Sequence, residues 1–172
     1  NHVNLCQRVS SLLPDCKQVV LLGDGEFSSF ELQAFAQSQN WLYVLRTAKN
    51  TLIEDQKGDT YAIGEVDIDP KIGYVWLENG AITKKRYGCL SALAWHQKKH
   101  KNPIYLLSNM DWAKDMMDYY RHRWSIETLF ADLKSQGFNI HKTRLKDPDI
   151  LHNLLIIVAI AFCLYLIMGE AK

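Results

Sequence analysis

Tyr120, Arg123, Glu127 and Lys134 lie in the stretch YYRHRWSIETLFADLK, which spans Tyr119 to Lys134. One carboxylate, two cations and a phenol are separated by gaps of two, three and six residues. The spacing predicts a helix from about Met110 to Ser135, started by Ser108 or Asn109 and closed by Gly137. At 100° per residue the four side chains share a stripe of about 60°. Ile126, Leu129, Phe130 and Leu133 occupy the neighbouring arc and read as the face that packs on a core. Glu127 and Lys134 are about 10 Å apart along such a helix, too far for a simple pair. Arg123 and Glu127 are four residues apart and can pair, so a salt-bridged structural helix is one reading. Phosphodiester chemistry is the other. A carboxylate ligates Mg²⁺, and two such ions clamp the attacking and leaving oxygens of an in-line displacement. Arginine, lysine and tyrosine nearby would hold phosphates and fix the register of a strand.

Such a helix needs a sheet to hold it. QVVLLGD (Gln18 to Asp24) is a short apolar run ending at Gly23-Asp24-Gly25, the pattern of a strand buried on both faces with a tight turn behind it. SSFELQAFAQSQN (Ser28 to Asn40) has helical signals, with Ser28 or Ser29 as cap and Glu31 in the first turn. WLYVLRT (Trp41 to Thr47) is a second strand, and strand–helix–strand with short links predicts a parallel pair. Between Asn50 and Pro103 short alternating segments predict an antiparallel β insertion, with Glu78-Asn79-Gly80 as a hairpin signal. NPIYLLSN (Asn102 to Asn109) reads as a return to a buried strand. The expected divisions are residues 1–50, a first part of the core carrying Asp24; 51–103, the insertion; and 104–172, the closing strand and helices.

Composition sets the class. With 48% hydrophobic and 23% charged residues the 172-residue chain is globular, neither disordered nor collagen-like. Twenty Lys+Arg against 19 Asp+Glu leave a net charge of +1, so any basic surface must be local. The four cysteines, Cys6, Cys16, Cys89 and Cys163, show no CxxC spacing. A reducing compartment without structural zinc is expected, with Cys163 buried. The N-terminal residues lack a basic-then-apolar signal pattern. LLIIVAIAFCLYLIM (Leu154 to Met168) is shorter than the roughly 20 residues of a spanning helix and reads as a buried core helix. The basic residues Lys142, Arg144 and Lys146 before it keep a membrane-anchored protein as an alternative.

The order Tyr120, Arg123, Glu127, Lys134, with all three gaps, resembles the Y-R-E-K signature of one branch of the bacterial insertion-sequence DDE transposases. HRWSIE, Gly137, the basic stretch after it and the Pro-containing turn into an apolar helix are similar to the end of that catalytic domain. The resemblance implies an α/β ribonuclease-H-like fold with a β-rich insertion before the Glu-bearing helix. It also implies a set of three carboxylates holding Mg²⁺ or Mn²⁺. VVLLGDGEF is similar to the second Asp position, which makes Asp24 its counterpart and Glu127 the third carboxylate. Nothing before Asp24 fits the first: Asp15 follows Pro14 in a predicted loop. The chain is therefore expected to be the C-terminal part of such a domain, incomplete at its N-terminus and inactive alone. The implied roles are metal binding and catalysis for Asp24 and Glu127, and phosphate binding for Tyr120, Arg123 and Lys134. The implied activity is metal-dependent cleavage and strand transfer on double-stranded DNA, in a homo-oligomer, a dimer, of the bacterial cytoplasm and nucleoid. No membrane is expected. A truncated DNA-binding remnant is the alternative within the same family.

Other groups read two ways. Glu26 is a solvated loop acid or supports Asp24. Trp124 is expected to pack. The resemblance implies an aromatic holding a flipped base, with Tyr105, Trp95 and Trp76 as candidates. HQKKHK (His96 to Lys101) lacks the glutamate and third ligand of a zinc helix. With KKRY (Lys84 to Tyr87) and HKTRLK (His141 to Lys146) it is a wet surface or a DNA-backbone contact. Asp111, Asp115 and Asp118 suit a helix start.

Overall fold

A computed structural model describes residues 2–14, 18–82, 87–97 and 101–170. Asp15, Cys16, Lys84, Lys85 and Arg86 of KKRY and the 98–100 segment of HQKKHK lie outside the described residues, as does the side chain of Cys89. The chain divides into two compact units, residues 1–123 and 124–172.

In the first unit, helix α1 (His2–Ser10) precedes strand β1 (Val20–Gly23), helix α2 (Phe30–Ser38) and strand β2 (Leu42–Arg46). Strands β3 (Leu52–Glu54), β4 (Thr60–Ala62), β5 (Tyr74–Ile82), β6 (Tyr87–Trp95) and β7 (Ile104–Ser108) follow, then helix α3 (Ala113–His122). All seven strands form one sheet in the order β1-β2-β7-β6-β5-β3-β4. β1 and β2 are parallel, with Val20 opposite Leu42 and Gly23 opposite Leu45, as the strand–helix–strand pattern predicted. Every other pairing is antiparallel, so the strands of the 51–103 region continue the parallel pair through β6–β7.

The apolar run of β2 follows from burial on both faces. Tyr43 and Leu45 face α2, packing with Leu32, Ala36 and Trp41, whereas Val44 faces α3, packing with Leu106, Met116 and Tyr120. Ser29 caps α2 by accepting the Leu32 N–H at 3.3 Å. A third cluster, around Ile53, Ile63, Ile82 and Leu107, fills the β3 end of the sheet.

Three local expectations are corrected. Ser108 and Asn109 do not cap α3, whose N-terminus at Trp112 has no side-chain cap. They stitch the end of β7 to β2 instead. The Ser108 hydroxyl donates to Tyr43 O, and the Asn109 side chain accepts from Tyr43 N–H and donates to Trp41 O, both at 2.9 Å. Asn109→Ala is therefore expected to destabilise the fold by about 1–3 kcal/mol, since a half-buried backbone pair loses its partners. Chemical denaturation measures it. Glu78-Asn79-Gly80 is not a hairpin turn. It lies inside β5, where the register shifts between Leu77 and Gly80 and Asn79 adopts φ 50°. The Asn-Gly pair supplies a bulge, and Gly80 leaves room for β3, because a Cβ there would sit 3.2 Å from Glu54 O.

The third correction concerns the long helix. α3 ends at His122, a turn occupies Arg123-Trp124, and helix α4 (Ser125–Ala131) runs into a single π turn over Asp132–Gln136. Arg123 N–H bonds Tyr120 O at 3.1 Å, a three-residue spacing that interrupts the α-helical ladder while the backbone stays right-handed. One wheel of 100° per residue therefore does not run from Tyr120 to Lys134.

The second unit holds α4 and helix α5 (Pro148–Glu170). Asp147 starts α5 by accepting the Asp149 and Ile150 N–H groups at 2.9 and 3.1 Å. Phe138 meets Phe162 edge-on at 6.5 Å. Among the described residues of this unit the expected core packing is not found. Trp124, Ile126 and Phe130 are exposed, and among the described side chains of α5 only Val158 is buried. Cys163 is exposed, not buried, because it shares this uncovered helix. Pro148–Gly169 is long and apolar enough to cross a membrane, a property that core helices of soluble proteins share.

Candidate active site

Parallel strands bring their carboxyl ends to one edge of a sheet, where α/β folds place ligands. Asp24 follows the last residue of β1 and Arg46 closes β2, one position beyond the Gly23–Leu45 pair. Asp24 then caps a short 3₁₀ turn over Gly25–Phe27: one carboxylate oxygen accepts the Glu26 N–H at 3.2 Å, and Phe27 N–H bonds Asp24 O at 3.0 Å. The turn is tight because Phe27 folds back over Gly23, where an added Cβ would lie 2.6 Å from Phe27 Cβ. Gln33, fully buried, fixes the far side of the loop. Its amide donates to Ser28 O at 3.1 Å, and its carbonyl oxygen accepts from the Tyr43 hydroxyl at 3.3 Å.

α3 carries Tyr120 onto this edge. The residue is 6% exposed and packs with Val44, Leu106 and Met116. Burial pushes the phenol above its ordinary pKa, opposed by Arg123 and Arg46 and assisted by Asp24. The phenol therefore stays protonated at neutral pH and remains a hydrogen-bond donor. Arg123 lies over the ring at 5.6 Å. Asp24, Arg46, Tyr120 and Arg123, from β1, β2 and the end of α3, are thus electrostatic neighbours.

Beside them opens a cleft of about 680 Å³, lined by Asp24, Arg46, Thr47, Lys49, Thr51 and Tyr105 among others. Glu26, which the sequence left open, is an exposed residue of the same lining. Arg46 and Lys49 were not singled out from the sequence. Their place follows from sheet register and a loop, and neither leaves a periodic signal. Of the three aromatics considered, Tyr105 lines this cleft. Trp95 lies under Arg121 at 5.1 Å, and Trp76 donates its indole N–H to Glu78 at 2.8 Å.

Glu127 and Lys134 belong to the second unit. Glu127 is an exposed residue of the first turn of α4, where a carboxylate suits the helix dipole. Lys134 is exposed within the π turn, whose backbone meets the His141 ring at Lys134 O. Such turns recur at functional sites. The signature thus divides two and two between the units.

The donor chemistry suits a hard divalent cation, since Asp24 offers carboxylate oxygen to an open cleft. Among the described residues no three metal-ligating side chains converge, so Asp24 is one donor and not a complete site.

The model of the transposase DDE domain matches residues 3–164. No curated protein matches the chain. With nearly its whole length matched, the chain belongs to the transposase DDE domain family.

Proposed function

We propose that the chain carries catalytic residues of a DDE transposase of the Y-R-E-K branch, on a ribonuclease-H-like fold. Family membership ties it to DNA transposition and to nuclease and transposase chemistry in general. The observation that carries the finer reading is the meeting of Asp24 with Arg46, Tyr120 and Arg123 at the carboxyl ends of two parallel strands. A lone structural ion pair needs neither a shared edge nor a cleft.

In this reading Asp24 and Glu127 are members of a larger oxygen-donor set for Mg²⁺ or Mn²⁺. The bound ions supply Lewis-acid polarisation of the phosphoryl group and an activated water. In cleavage the water oxygen bonds to phosphorus and the P–O3′ bond breaks, leaving a 3′-hydroxyl. In strand transfer that hydroxyl bonds to a phosphorus of target DNA, and a target P–O bond breaks. Arg123 binds a phosphate oxygen through its guanidinium fork. Tyr120 donates its retained proton to another and fixes Arg123 through the ring contact. Lys134 neutralises a phosphate farther along the strand. The substrate is double-stranded DNA, bound by a dimer.

The decisive experiment is metal-dependent strand cleavage by Asp24 and Glu127 variants, developed in the Discussion. Lys134→Ala is expected to weaken binding of duplex DNA several-fold and to lower the log–log salt slope by about 0.9, the value of one phosphate contact. An unchanged slope removes Lys134 from the phosphate-binding set.

A further inference from the structure

The cleft beside Asp24 is lined by charges of both signs. Asp24 and Glu26 are its acidic lining residues, Arg46 and Lys49 its basic ones, and Asn102 and Pro103 share the lining. A pair between Asp24 and Arg46 would satisfy both, yet among the described residues neither Arg46 nor Lys49 has an ion-pair partner. Two unpaired cations facing a cleft from a fixed frame are suited to an anion from outside.

The frame is rigid. The loop of residues 47–51 is held at its base by Thr47 N–H on Tyr105 O at 2.9 Å. It is closed internally by Thr51 N–H on Ala48 O at 3.0 Å and by the Thr47–Thr51 hydroxyl pair at 2.6 Å. From its other side Gly64 N–H bonds Lys49 O at 2.8 Å, and Ile63 N–H bonds Thr51 O at 2.9 Å. The approach of residue 64 is so close that a Cβ there would lie 2.7 Å from Lys49 O. Lys49 thus projects from an anchored loop, the arrangement that binding groups need. The cleft volume falls within the roughly 300–1,000 Å³ of ligand sites.

We propose that this cleft is a subsite for the sugar–phosphate backbone of a single DNA strand next to the bond cleaved at Asp24, with Lys49 and Arg46 as its phosphate-binding residues and Gly64 as the residue that positions Lys49. A backbone fits better than a free base, because two cations and the polar Thr47, Thr51 and Asn102 are among the lining residues. The assignment rests on the reading given under Proposed function.

The test is metal-free binding of a short fluorescein-labelled single-stranded oligodeoxynucleotide to the whole chain, followed by anisotropy over a range of salt. Because it needs no cleavage, its failure is distinct from a failure of the catalytic assignment. Lys49→Ala and Arg46→Ala are each expected to weaken binding several-fold and to lower the log–log salt slope by about 0.7 per lost contact. Lys49→Arg is expected to restore the slope. Gly64→Ala, which keeps every charge but displaces the loop, is expected to lose affinity as Lys49→Ala does. Lys71, outside this cleft, is the control, and Lys71→Ala is expected to bind like the unsubstituted chain. Lys49 and Arg46 are both exposed, so their variants keep the fold, which thermal melting verifies. Wild-type slopes in both alanine variants overturn the proposal. So does an equal loss in Lys71→Ala, and so does an unsubstituted chain that does not bind the strand.

Discussion

Asp24→Ala and Glu127→Ala, each made in the full-length protein, are expected to lower strand cleavage in Mg²⁺ by at least about 10²–10³-fold, the several kcal/mol that a metal-held phosphoryl group draws from its ligands. Binding of duplex DNA is expected to persist, because neither carboxylate contributes favourably to a phosphate contact. Losing a negative charge beside Arg46 strengthens binding at low salt if it changes it at all. The double variant is expected to cost little more than either single one, since groups that act as one unit are not additive. The measurement is the rate of incision of a labelled DNA end, with gel-shift binding in parallel. Undiminished cleavage in Glu127→Ala removes that residue from the catalytic set. Undiminished cleavage in Asp24→Ala alone leaves Glu127 standing and withdraws the strand-end assignment. Folding does not confuse the result, because Glu127 is exposed and Asp24 is only partly buried.

Much of the frame that holds Asp24 was legible before any coordinates. The run Val19 to Leu22, the Ser29 cap and the apolar Leu42 to Leu45 segment define β1, α2 and β2; β2 is buried on both faces, whereas β1 ends the sheet and its Val20, Leu21 and Leu22 are only partly buried. The apolar run marked Gly23-Asp24-Gly25 as the turn behind the strand, whereas the role given to Asp24 came from the resemblance of VVLLGDGEF to the family motif. What stayed hidden lies where one signal has two meanings. Asn79-Gly80 marks a backbone that tolerates positive φ, and both a hairpin turn and a bulge use that tolerance. The break at Arg123-Trp124 has no proline or glycine to announce it, and the π turn at Asp132–Gln136 has no sequence period of its own. Tyr120 counts as a surface phenol on a helical wheel, yet its ring belongs to the core under α3. Arg46 and Lys49 gain meaning from the register of β1 against β2 and from Gly64 pressing on a loop. Those are long-range facts that local patterns do not carry. Apolar Leu154 to Met168 predicts a helix but not what covers it, and here little does.

Gly23→Ala is expected to separate the position of Asp24 from its charge. Gly23 is buried at the end of β1, and a Cβ there would lie 2.6 Å from Phe27 Cβ and 2.8 Å from Leu45 Cδ2, closer than side-chain carbons approach. Leu45 is fully buried in the sheet. Phe27, half-buried at a turn and stacked on His2 at 4.4 Å, is the neighbour free to give way. Its movement opens the turn over Gly25–Phe27 and takes the Glu26 N–H from the Asp24 carboxylate. Overpacking of this kind costs about 1–3 kcal/mol of stability. A displacement of about 1 Å at a reacting group costs about 10²-fold in rate. Ile53→Ala is the matched comparison. It empties a fully buried site on β3, at an expected cost of about 2–5 kcal/mol, in a cluster that does not include Phe27 or Leu45. At a temperature where both variants are folded, Ile53→Ala is expected to cleave DNA at nearly the normal rate while Gly23→Ala does not, although Gly23→Ala is the more stable of the two. Normal cleavage by both would mean that the turn does not position Asp24. A loss in Ile53→Ala as large as that in Gly23→Ala would trace the defect to global stability, not to the close fit of Phe27 over Gly23 that holds the carboxylate at the strand end.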